Sequence, residues 1–445
     1  MNSLDIDSLF RQILKPALGC TEPVAVALAS AAAARAAAGW TPEAGASAGV
    51  LAGELRGLRV RVSRNIFKNT FAILIPNSGG HKGILMSAAL GVACDPREGM
   101  NIFGGLDEAQ VSVAEALVQS DRVQVEIVAD APSELYIEVE AEYAEGSGGC
   151  VIRDEHSNIA CLRRNGQITY GANEAHEEGA ASAELVALKA MTLAEVVRLV
   201  EELPESVLAL LRTTAEMNVA ACKMGLTRPM GIGAGYFGTV DEDVNSFSQH
   251  LASLTAAGSD ARMSGFALEI MTSAGSGNQG IIATIPVVTY AKAHKVEERR
   301  MLQALALSHL VTMYMTCYIG YLSALCGVAI KAGIGASCGV TYAMGGAEKE
   351  VERAVKIMAA TLTGMICDGA KIGCALKVSN ASEMAVRSAE LAMRKAEVPD
   401  DNGIVAPTDE GTIRNLAELG RSMESVDQKI IEIMLKKLGT SAAQG

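Results

Sequence analysis

Between Thr361 and Asn380 the chain reads TLTGMICDGAKIGCALKVSN, with Cys367 and Cys374 on either side of a short polar loop. On one unbroken helix these thiols would lie about 10.5 Å apart along the axis, too far for one small metal site. Asp368-Gly369 and Gly373 interrupt that helix and would let both sulfurs turn towards one point. Cys326 sits at the same kind of junction, after the apolar run LSAL and before Gly327. Three thiols where buried helices meet glycine suit a soft metal or an iron–sulfur cluster. Three buried thiols without a ligand are the alternative, because free cysteine also packs as a small hydrophobe. Structural zinc fits less well, since no C-x2–4-C knuckle occurs.

A fourth thiol stands in KPALGCTEPVAVALA, where Cys20 follows a turn bounded by Pro16 and Gly19 and precedes a helix opened by Thr21-Glu22-Pro23. A thiol at a helix N-terminus is expected to have a lowered pKa and to serve as base, nucleophile or ligand. A plain helix cap, with Thr21 or Glu22 satisfying the free N–H groups, is the competing reading. In SAGSGNQG, Ser273, Ser276, Asn278 and Gln279 stand among glycines directly before an apolar helix. Amides and uncapped N–H groups there suit a small carboxylate, and a capped turn explains the same residues. GIGAGYFG lacks the leading strand of a dinucleotide loop. The six histidines form no metal-binding spacing. His309, alone inside an apolar helix, is expected to support a site from behind. No G-x-S-x-G elbow is present.

The elements that must position these groups follow from pattern. The chain has 445 residues, half of them apolar, with few aromatics and a net charge of −13. That length allows two or three domains, and the charge argues against a nucleic-acid surface. Residues 1–53 read as a helical segment carrying GCTEP. Residues 54–175 read as a small antiparallel-sheet domain with helices. There LRVRVS, TFAILIP, VQVEIVA and LYIEVEAEY alternate as half-exposed strands. Residues 176–445 carry helix spacing almost throughout. The fold class expected is α+β, a small sheet domain beside a large, mainly helical one.

Met301 to Ile330 contains no Asp, Glu, Lys or Arg and is long enough to span a membrane. Its Gln, Ser, His and Thr residues favour a buried central helix instead, so no membrane partner is expected. Ten cysteines and an amphipathic, acidic N-terminus in place of a secretory leader point to a reducing cytoplasm.

Taken together, KPALGCTEP, SRNIFKN, SDARM, SAGSGNQG, LSALCG, MICDGAK and GCALKVS resemble the L-cysteine desulfidase family, and SAGSGNQG with the paired cysteines is also similar to iron–sulfur L-serine dehydratases. The similarity runs from the N-terminal helix to QKIIEIM. It implies a [4Fe–4S] cluster held by Cys326, Cys367 and Cys374, with one iron free to act as a Lewis acid. It implies elimination of L-cysteine to pyruvate, ammonia and sulfide. The substrate carboxylate would be held by Ser276, Asn278 and Gln279, with Asn65, Lys68 and Asn69 of RNIFKN. Cys20 would be the base, or would occupy the fourth iron at rest, with Glu22 and His309 in support. NSGGHKG, at 77–83, departs from the family's turn, so nothing is carried over there. The rivals are serine dehydration, with hydroxide leaving, and a non-catalytic iron–sulfur protein. Homo-oligomerisation is left open.

Overall fold

The computed structural model describes residues 4–44, 54–171, 182–239 and 246–441. The boundary expected near residue 175 lies outside them. Two hydrophobic cores organise the chain. In the first, a six-stranded sheet has the order β3-β2-β4-β5-β6-β7. Its strands are β2 (Leu55–Val62), β3 (Val123–Ile127), β4 (Tyr136–Tyr143), β5 (Gly146–Arg153), β6 (Ile159–Arg164) and β7 (Gln167–Gly171), while β1 (Pro16–Leu18) and β8 (Glu269–Met271) pair elsewhere. Alternation decides its faces. In β4, Ile137, Val139, Ala141 and Tyr143 are buried, whereas Glu138 and Glu140 meet Arg61 and Arg59 across the strand pair on the other face. The Ala-rich helix Thr21–Ala37 lies on the buried face, where its small side chains permit close approach.

Two strand expectations are corrected. The sheet is mixed, not antiparallel, because β2 and β3 run parallel. The connection between them holds the helices Arg64–Thr70, Ile84–Ala93 and Glu108–Gln119, the kind of crossover a parallel pair requires. TFAILIP is not a strand; it makes only an isolated bridge, Leu74 to Lys82. Its apolar pattern comes from packing, since Ile73 lies against Cys20 and Met263.

The second core is helical. The helix Glu298–Ile319 runs through it, with Gly277–Ala293, Ile334–Ala343 and Asp409–Ser422 packed against it. It is long and apolar enough to cross a membrane, yet 83% of its most apolar window is buried within the protein. Its polar side chains are satisfied internally: Ser308 donates to the Ala283 carbonyl at 2.7 Å, and Thr312 to the Ser308 carbonyl at 2.7 Å. The helix Ile6–Ile13 joins this core by burying Leu9, Phe10 and Ile13, each contributing about 1.5–3 kcal/mol. Residues 4–44 therefore divide between the two cores. At the seam, β1 pairs antiparallel with β8 and stitches the Cys20 turn to the approach of SAGSGNQG.

Candidate active site

The two loops that carry thiols are fastened to each other by backbone. Leu325 and Ile366 form an antiparallel bridge. The Cys326 N–H donates to the Met365 carbonyl at 2.8 Å, and the Cys367 N–H to the Ala324 carbonyl at 2.7 Å. Cys374 opens the helix Cys374–Met393, after the break anticipated from glycine. Gly369 makes that break possible: its φ is +94°, and a Cβ there would fall 2.4 Å from the Lys68 carbonyl oxygen. Asp368, in the same loop, accepts from Lys371 and Lys377.

Cys326, Cys367 and Cys374 line one cavity of about 90 Å³, together with Cys20, Glu22, Asn69, Ser276, Asn278 and Gln279. Burial pushes the Cys326 thiol up to about 12, with the Cys367 and Cys374 thiols adding to the rise and Lys377 opposing it. Burial, then Cys367, also raises Cys374, against Lys371 and Lys377. The three sulfurs thus act on one another. Among the described residues, no three His, Cys, Asp or Glu side chains close on a point as a single ion would need. The three thiols on this one cavity wall are the donor type that an iron–sulfur cluster takes, one thiolate per iron.

Cys20 ends the turn before the helix Thr21–Ala37, without capping it through its side chain. Its thiol donates to Glu22 Oε2 at 3.1 Å. Glu22 is a hub: the Thr21 hydroxyl donates to the same oxygen at 3.1 Å, and Asn69 Nδ2 donates to Oε1 at 3.0 Å. The lowered pKa expected of Cys20 is corrected. Burial and the Glu22 charge raise it well above its ordinary value, outweighing Arg262 and the N–H of Glu22. Burial would raise Glu22 as well, yet His156, the Cys20 hydrogen bond and Arg262 hold it below the usual range. At rest the pair is a thiol beside a carboxylate.

Of the RNIFKN residues, only Asn69 lines this cavity. Lys68 does not: its buried ammonium pairs with Asp427 of the C-terminal helix at 2.6 Å. Asn65 donates to Glu134 and faces a separate groove with Asp427 and Ser323. Both depart from the expected substrate contact. His309 stands behind SAGSGNQG, its Nδ1 2.9 Å from Ser273 Oγ and its Nε2 3.3 Å from Thr284 Oγ1. Burial brings it down to about 3, so it is neutral.

Arg262, His156 and Lys331, not singled out from sequence, also line the cavity. Arg262 donates through Nε to the Gly19 carbonyl at 3.1 Å, while its buried Nη2 has no partner. Gly277 leaves room for it, since a Cβ there would lie 2.3 Å from Arg262 Nε. Lys331, on a π-helical turn (Val328–Gly333), donates to the carbonyls of Gly320 and Tyr321 at 3.0 and 2.9 Å. Burial brings it down to about 8, opposed by Cys367, Cys326 and Glu22. Lys331 was findable as the charge that ends the uncharged run, and Arg262 lies within the quoted SDARM. Asn69 Oδ1, His156 Nε2, Arg262 Nη2 and Gln279 Oε1 are all buried without a partner around this one cavity. Such a concentration marks a place for a polar ligand.

Comparison with known proteins places this fold and cavity in the serine-dehydratase-like class. The family profile described as serine dehydratase alpha chain matches residues 108–432, and the chain belongs to that family. It is 36% identical to a UPF0597 protein of Alkaliphilus metalliredigens, over 98% of this chain and 95% of the relative. It is 37% identical to a UPF0597 protein of Oleidesulfovibrio alaskensis, over 97% of each. A UPF0597 protein of Clostridioides difficile is 36% identical, over 95% of this chain and 97% of the relative. Family membership carries the expectation of lyase chemistry.

Proposed function

We propose that this chain is a [4Fe–4S]-dependent lyase that eliminates sulfide from L-cysteine, giving pyruvate and ammonia. The observation that carries the reading is the set of unpartnered polar atoms facing the thiols and the Cys20–Glu22 pair across one small cavity. Arg262 Nη2, with the free N–H groups opening the helix Gly277–Ala293, would hold the carboxylate. The carbonyl oxygens of Gln279 and Asn69 would accept from the amino group. Ser276 caps this turn, receiving the Gln279 N–H at 3.5 Å, and Asn278 accepts from Ser259 at 3.2 Å. Those two residues shape the cradle.

Cys326, Cys367 and Cys374 would hold the cluster, which when bound supplies a Lewis-acidic iron for the departing sulfur. The remaining work falls to the chain. Glu22 takes the Cys20 proton, and the thiolate so formed removes the substrate α-proton. The C–H electron pair becomes the Cα–Cβ double bond as the Cβ–S bond breaks. The aminoacrylate tautomerises and is hydrolysed to pyruvate and ammonia. An oxygen-labile cluster also fits a reducing cytoplasm.

The test is anaerobic reconstitution followed by sulfide and pyruvate assays with L-cysteine and L-serine. Sulfide with matching pyruvate from cysteine is expected. Pyruvate from serine alone would make the chain a serine dehydratase. A cluster whose spectrum no amino acid alters, with no product, would reduce it to a non-catalytic iron–sulfur protein. Cys20→Ala should keep cluster absorbance and lose turnover; loss of the cluster would make Cys20 a ligand.

A further inference from the structure

The cavity holding Cys20 shares a wall with a second hollow. His156, Gly275 and Tyr321 line both. The outer hollow has a volume of about 30 Å³, enough to admit water. Its other lining includes Thr21, Lys15 and Glu155. Lys15 and Glu155 pair at 3.1 Å, with side chains 42% and 37% exposed, so this hollow meets solvent. Cys20 itself is only 3% exposed, and its thiol donates to Glu22.

That seclusion creates a requirement. If Cys20 receives an α-proton in each cycle, it must release one before the next. We infer that His156 carries protons between the buried Cys20–Glu22 pair and solvent, through the outer hollow. This rests on the base role proposed for Cys20. His156 is 7% exposed, and its Nε2 has no partner. It lines the inner cavity with Glu22 and the outer hollow with Glu155. Burial lowers its pKa and Arg262 and Lys15 act the same way, while both carboxylates oppose them. An imidazole so placed takes a proton on one nitrogen and gives one from the other.

The steps balance in protons and move no electrons between groups. Cys20 passes its S–H proton to Glu22, and the carboxyl passes one to the His156 imidazole through water in the cavity that both line. The outer nitrogen releases a proton to Glu155 or to water in the hollow, and the ring then resets its tautomer. Thr21 lines the outer hollow and also donates to Glu22, which makes it the competing route.

The test uses the cluster-free chain, where neither substrate nor turnover enters. The chain is mixed into D2O and the Cys20 S–H infrared band, assigned by difference against Cys20→Ala, is followed as it converts to S–D. His156→Gln should slow this exchange about a hundredfold. His156→Asn serves if the first variant does not fold. Exchange at the wild-type rate, or slowing by Thr21→Val in place of His156→Gln, overturns the relay. In the loaded enzyme, His156→Gln should lower kcat, with imidazole restoring it. A wild type that releases no sulfide from cysteine would sink the proposed function, while the exchange comparison would still decide the relay.

Discussion

Arg262 offers the sharpest test of how the cavity reads an amino acid. Its Nε is committed to the Gly19 carbonyl at 3.1 Å, and Nη2 is buried without a partner. The planar guanidinium fork holds the carbonyl through Nε while aiming the separate Nη2 N–H groups at a carboxylate, a geometry a single ammonium nitrogen does not reproduce. Arg262→Lys keeps the positive charge that acts on Glu22 and Cys20, and loses one of the two bonds. A hydrogen bond to a charged group contributes about 1.5–3 kcal/mol. At about 1.4 kcal/mol per tenfold, KM for L-cysteine should rise roughly 10- to 150-fold. The substrate carboxylate does not change charge during elimination, so kcat should stay within a few fold. Gly277→Ala reaches the same contact from the other side. Its new Cβ would lie 2.3 Å from Nε and 2.8 Å from Cζ, so the guanidinium must move off its anchor. Sulfide release under anaerobic conditions, with cluster absorbance as the loading control, gives both parameters. If both variants are loaded and both retain the wild-type KM, Arg262 is not the carboxylate anchor and the orientation argued for the substrate fails.

Lys68→Met strands Asp427 in the protein interior and should destabilise by about 3–5 kcal/mol, whereas pairing it with Asp427→Leu should recover most of that. Denaturant unfolding measures both, and KM of the loaded double variant should stay unchanged. Burial favours the neutral form of Asp368, but hydrogen bonds from Lys371 and Lys377 hold its pKa at about 2, below the ordinary 3.8. The unfolded chain then binds more protons between these values, so the stabilisation is present above about pH 4 and lost towards pH 2. Asp368→Asn should lower Tm at neutral pH, with the deficit narrowing below about pH 4. Asp409 is the opposite case. Burial, then Glu352 and Glu410, raises it to about 7, with Lys356 opposing. The folded chain binds the extra proton, so Asp409→Asn should raise Tm near pH 8 and leave it unchanged near pH 4.

How much of this was legible in the sequence depends on whether the signal was local. The breaks around Cys367 and Cys374, the turn before Cys20 and the polar SAGSGNQG run are local, and the fold brings all of them to one cavity. The parallel pairing of β2 with β3 is not local: their alternation is equally good for either direction, and only the helical connection between them decides it. TFAILIP alternates like a strand because Ile73 and Ile75 are buried, and burial alone does not supply a pairing partner. Lys68 and Asn69 are neighbours in RNIFKN, yet one meets a C-terminal helix 359 residues away while the other meets Glu22. No spacing rule separates them. His156 occupies a hairpin between β5 and β6, where a histidine reads as an ordinary turn residue until the hairpin is laid against Gly275.

The corrected state of Cys20 bears most on the chemistry. A helix N-terminus lowers a thiol's pKa only where the field of the free N–H groups exceeds the desolvation of the thiolate. Here the thiol is 3% exposed and a carboxylate accepts its proton's hydrogen bond, so both larger effects favour the neutral form. On the proposed mechanism the base must therefore be generated within the cavity. The nearby positive groups supply the means: Arg262 offsets the Glu22 charge felt by Cys20, and Lys331 stands beside Cys326 and Cys367. A bound substrate carboxylate would take up the Arg262 charge, while its ammonium would face Glu22 and Asn69. Moving the thiol proton to Glu22 then leaves the thiolate beside the α-carbon only once the substrate is seated. Coupling the base to the occupied site in this way accounts for the joint presence of Cys20, Glu22 and Arg262 where the sheet and helical cores meet.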